Sequence, residues 1–108
     1  MLRNIIFFCF ILFINFNIFA QKGTVFGSVY IQAQAAEFVT IHIDGTNMGT
    51  STDVNGSYTL DNIPFGIHTL KAEMVGMESK EQEIHINASQ SKIKIDFDLE
   101  EIAIAVNE

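Results

Sequence analysis

The sequence predicts an all-β fold: an antiparallel β-sandwich of six or seven short strands, preceded by an export signal. Three observations carry this expectation. Apolar and polar residues alternate at period two in run after run, turn-forming residues separate the runs, and no window keeps apolar residues at helical spacing. Alternation of that kind belongs to strands with one face in a core and the other in water.

The elements follow in order. Residues 1–20 form the expected signal, with Arg3, the apolar run Ile5–Ile14 and a small residue at Ala20. Asn15 and Asn17 interrupt the run well short of the roughly 20 apolar residues that a membrane-spanning helix needs. Cys9 invites a lipid-anchor reading, but Phe8 before it and the apolar run beyond it argue for an ordinary signal residue. Cleavage after Ala20 leaves 88 of 108 residues, enough for one domain, and no cysteine for a disulfide or a thiol nucleophile. Export without disulfides suits a bacterial periplasm or cell surface.

In the mature part Val25, Val29 and Ile31 alternate across Gly27 as a first strand. Ile31–Glu37 has helix-forming residues for a single turn and is expected to be a loop. Val39, Ile41 and Ile43 face one way, Thr40 and His42 the other. Asp44-Gly45 and Asn55-Gly56 are two-residue hairpin signals, because both central positions of a type I′ turn need positive φ. Tyr58 and Leu60 carry the next strand inward, and Pro64 is placed between strands, where its missing N–H costs nothing. Leu70, Ala72 and Met74 alternate against Lys71 and Glu73, and Ile84 and Ile86 repeat the pattern. Lys92–Leu99 alternates without interruption, with Ile93, Ile95, Phe97 and Leu99 opposite Lys92, Lys94, Asp96 and Asp98. The sandwich is thus expected over residues 21–99, followed by an extended tail over 100–108 that keeps strand alternation with no partner run.

Chemistry is tested motif by motif. Ser51-Thr-Asp-Val-Asn-Gly-Ser-Tyr58 matches half of a calcium loop, with Ser51, Asp53 and Asn55 at the first three ligand positions and Gly56 at the turn. A serine stands first, however, and Asn62 occupies the place of the bidentate glutamate, so the turn of a β-hairpin is expected instead. His42, His68 and His85 have no zinc-site spacing, and His42 and His85 fall on polar strand faces. There is no Gly-x-Ser-x-Gly, and Asp96 and Asp98 alternate with lysines as a solvated face. Asn87-Ala88-Ser89 fits a glycosylation acceptor and equally a turn. Neither a catalytic nor a metal site is expected, nor a cofactor. Loss of Arg3, the one arginine, takes the formal charge from −7 to −8, which argues against nucleic acid.

Gly27-Ser-Val, the run Val39–Leu60 with its Gly45-Thr, Gly49-Thr, Thr52-Asp53, Gly56 and Tyr58, then Ile63-Pro-Phe-Gly66 and Val75-Gly76, resemble the carboxypeptidase-regulatory-like domain over about residues 23–99. Met77 stands where the family usually has an aromatic residue. The resemblance implies a seven-stranded transthyretin-like sandwich without activity of its own. It also implies a setting, since such domains after a signal peptide are frequent at the N-terminus of TonB-dependent outer-membrane receptors of Bacteroidetes-type bacteria. Leu99-Glu-Glu-Ile-Ala-Ile-Ala-Val106 is similar to the TonB box of those receptors, departing from it in its alanines and in Asn107-Glu108. Ile102, Ala103, Ile104, Ala105 and Val106 are therefore the expected partner-binding residues, adding a strand to a TonB-type energy transducer. The expected location is the periplasm and outer membrane of a Gram-negative bacterium, with the receptor's plug and barrel outside this chain. The alternative is a stand-alone secreted surface module that binds protein or glycan through its loops.

Overall fold

The computed structural model describes residues 21–103; the expected signal over 1–20 and the tail residues 104–108 lie outside the described residues. Among the described residues nine strands form two sheets. They are β1 (Lys22–Ile31), β2 (Gln34–Ala35), β3 (Thr40–Ile43), β4 (Gly49–Ser51), β5 (Ser57–Pro64), β6 (Gly66–Glu73), β7 (Lys80–Ile86), β8 (Lys92–Lys94) and β9 (Phe97–Leu99). One sheet runs β2-β1-β5, with β8 and β9 both paired to β1; the other runs β4-β3-β6-β7.

The period-two pattern becomes the core. Val25 and Val29 from β1, Ile41 and Ile43 from β3, Leu70 and Ala72 from β6, and Ile84 and Ile86 from β7 are buried between the sheets with Tyr58, Leu60, Ile63, Phe97 and Leu99. Burial of each large aliphatic side chain contributes on the order of 1.5–3 kcal/mol. Met77 packs partly buried against this cluster.

The strand count and the pairing differ from expectation. The uninterrupted alternation of Lys92–Leu99 does not make one antiparallel strand. It is split into β8 and β9, and both run parallel to β1, with Val25 beside Ile93 and Val29 beside Phe97. The break falls at Ile95-Asp96. The Ile95 N–H donates to the Phe26 carbonyl at 2.8 Å, while the Asp96 carboxylate, instead of a backbone carbonyl, accepts the Ser28 N–H at 2.8 Å. Gly27 lies directly beneath, and a Cβ there would collide with the Ile95 carbonyl. That close approach explains the glycine in the middle of a strand.

The turns also depart from expectation. At Asn55-Gly56 only Gly56 has positive φ (73°), and its N–H donates to the Asp53 carbonyl at 2.9 Å. This is a type I turn through Val54 and Asn55 closed by a left-handed glycine, not a type I′ turn, and the expected hairpin is absent because the strands it joins, β4 and β5, lie in different sheets. At Asp44-Gly45 positive φ is likewise confined to the glycine (77°). The type I′ geometry is found instead at Gln32 and Ala33 (φ 52° and 63°), inside the segment expected to be a loop, and it joins β1 to the two-residue β2. Pro64 is not between strands but ends β5, paired with Lys22. It is tolerated because β5 forms an outer strand of its sheet.

Candidate functional site

Thr52–Tyr58 carries the chain from β4 in one sheet to β5 in the other. A crossing of this kind interrupts the ladders and strands backbone groups in the interior. Thr52, 2% exposed, supplies the remedy: its hydroxyl donates to the Ala36 carbonyl at 2.6 Å and accepts the Val39 N–H at 2.9 Å. One Asp53 carboxylate oxygen accepts the N–H of Asn55 at 2.9 Å and of Ser57 at 3.0 Å. Gly56 packs so closely that a Cβ would meet the Val29 carbonyl oxygen at 2.8 Å. The Tyr58 hydroxyl donates to the Ile95 carbonyl across the sheet, and burial, reinforced by the Asp96 carboxylate, pushes its pKa well above the ordinary 10.0. Of the side chains that suggested calcium ligands, that of Asp53 is thus engaged in holding the crossing together. Asn62, at the expected glutamate position, lies within β5 in a left-handed conformation (φ 63°).

The histidines lie apart. His42 hydrogen-bonds Glu73 at 3.2 Å on the outer face of β3 and β6, and Glu73 also pairs with Lys71 at 3.3 Å. His85 approaches Glu83 at 2.8 Å on β7, and His68 reaches the Pro64 carbonyl at 2.7 Å. Among the described residues no group of three or more His, Cys, Asp or Glu could hold a metal ion. The Lys71 hydrogen bond is the main cause holding the Glu73 carboxyl below the ordinary 4.5, with His42 helping, and the same contact raises Lys71 above 10.5. Asn87 uses its side-chain oxygen within its own turn, accepting from the Ser89 N–H and hydroxyl and from the Gln90 N–H.

The expected tail is tied to the sandwich at its start. The Glu78 N–H donates to the Glu100 carbonyl at 2.8 Å, Glu101 faces Met77 in an antiparallel bridge, and the Ile102 N–H donates to the Gly76 carbonyl at 3.0 Å. Ile102 is 50% exposed and Ala103 is exposed, while Ile104, Ala105 and Val106 lie outside the described residues. Beside the tail's exit an open groove of about 540 Å³ is lined by Phe38, Thr40, Glu73, Met74 and Val75. The groove was not anticipated from the sequence. Its signal was present, because Phe38 shares parity with Thr40 and His42 and so falls on the outward face. Among the described residues no helix is long and apolar enough to cross a membrane.

In this two-sheet sandwich the polar side chains of Thr52, Asp53 and Tyr58 serve the chain's own backbone. The chain belongs to the CarboxypepD_reg-like domain family, whose pattern matches residues 22–108. That family is a regulatory-like β-sandwich, distinct from a catalytic domain. A search of curated proteins returns no match. Among solved structures, two interface mutants of a type II cohesin–X–dockerin complex from Acetivibrio cellulolyticus align with TM-scores of 0.62 and 0.61 at 16% identity, covering 71% of this chain and 56% of theirs. The Bacillus anthracis TIE protein aligns with a TM-score of 0.53 at 16% identity, covering 74% of this chain and 16% of that one. The alignments span about half or less of those longer chains, and at such identity the likeness is one of fold.

Proposed function

We propose that this chain is the N-terminal, non-catalytic β-sandwich extension of a TonB-dependent outer-membrane receptor, exported to the periplasmic side of the outer membrane. Nutrient uptake belongs to the plug and barrel of the full receptor, and the sandwich presents the tail to a TonB-type energy transducer. The observation that supports this reading is the extended run after Leu99, which leaves the core and makes one antiparallel bridge at Glu101. A segment of that kind recognises a partner by offering its backbone N–H and C=O groups to an open sheet edge, with Ile104 and Val106 alternating on one face. The test is titration of the chain from Gln21 to Glu108 with a TonB C-terminal domain. Binding that Ile104→Pro abolishes is expected, because proline removes a ladder N–H. No binding by the unsubstituted chain rejects the transducer reading and leaves the stand-alone surface module.

A further inference from the structure

Phe38 combines two unfavourable features. Its φ is 65°, a conformation that is a true outlier for a bulky residue, and its side chain is 73% exposed. Strain of order 1–3 kcal/mol persists only where the surroundings impose it, and it clusters at binding sites. Val75, which lines the same groove, is 98% exposed, and Met74 lines it as well. A bulky ring and an aliphatic side chain held open to water in the lining of one groove call for an apolar occupant.

The direction of the tail identifies that occupant. Glu100 lies beside Glu78, Glu101 opposite Met77, and Ile102 bonds to Gly76, so the tail runs antiparallel to the chain entering β7. One residue further in the same direction comes Val75, and then Met74, both groove residues. From Ile102 to Val106 an extended chain reaches about 13 Å. The segment Ile104-Ala105-Val106 is apolar and follows directly on Ala103 in the chain. We infer that the groove between Phe38 and Val75 is the seat of the chain's own segment Ile104–Val106, with the Ile104 side chain between the Phe38 ring and Val75. The tail is then held against its own sandwich until something displaces it. This holds whether or not an outside partner also takes the tail.

The test uses the chain from Gln21 to Glu108, with no partner present, so its outcome is separate from that of transducer binding. Methyl-labelled protein is expected to give NOE contacts from Ile104 to the Phe38 ring and the Val75 methyls, lost in Ile104→Ser. Removal of residues 104–108 is expected to lower Tm by roughly 4 °C, the scale of one modest contact in a domain of this size. Phe38→Gly, which relieves the backbone strain, is expected to erase the effect of that removal. The inference is overturned if the contacts are missing and the Ile104 amide exchanges at the unprotected rate. It is equally overturned if mixed labelling assigns the contacts to a second copy, or if Phe38→Gly and the truncation act additively.

Discussion

At the scale of single residues, Tyr58 holds the two halves of the first sheet in register. Its ring is part of the core, and its hydroxyl satisfies the carbonyl of Ile95 where the terminal strand breaks. Tyr58→Phe keeps the ring and removes the donor, so a part-buried carbonyl loses its partner. The expected destabilisation is about 1–3 kcal/mol. It should appear in urea unfolding as a lower midpoint at unchanged slope; a midpoint equal to that of the unsubstituted chain would show the bond to be dispensable. Thr52 and Asp53 have comparable local duties, and these were hidden in the sequence. The spacing Thr52-Asp53-Val-Asn-Gly56 announces a turn and equally half of a metal loop. The choice between them depends on Ala36 and Val39, whose backbone groups face Thr52 only in the folded chain.

At the scale of elements, the alternating runs were legible because burial of one strand face is written locally, residue by residue. Val39, Ile41 and Ile43 needed no tertiary knowledge. The parallel docking of β8 and β9 on β1 was not legible, since it brings together segments about seventy residues apart and no local turn dictates it. The β1–β2 hairpin was missed for a different reason. Gln32 and Ala33 adopt left-handed conformations that their side chains disfavour, so composition gave no turn signal. That mismatch leads to a prediction. Ala33→Gly removes a Cβ penalty at φ 63° and should stabilise the domain by about 0.5–1 kcal/mol despite glycine's larger unfolded-state entropy. Thermal unfolding checks this, and a lowered Tm would mean that the turn tolerates alanine without strain.

At the scale of the whole molecule, the acidic balance sets the response to pH. The charge of −7 makes mild acidification relieve self-repulsion, while paired carboxylates act in the opposite sense. Glu73 is held below 4.5 by Lys71 first and by His42 second, so its contribution is fully present above 4.5 and is lost as pH falls through its lower folded value. Stability should therefore fall less steeply below pH 4.5 in Glu73→Gln than in the unsubstituted chain, with the difference small because the pair is solvated. Denaturation midpoints measured across that window decide it, and parallel profiles would assign no role to Glu73.

The parallel pairing of β1 with β8 and β9 also has a mechanical meaning. The described chain enters at Lys22, at one end of β1, and leaves past Leu99, which pairs with Ile31 at the other end. Tension applied through the two ends would draw the neighbouring strands past each other along their length. The bonds joining Thr24 to Ser91, Ile95 to Phe26 and Ser28 to Asp96 would then share the load together instead of opening one at a time. The parallel strands would then resist such tension in shear.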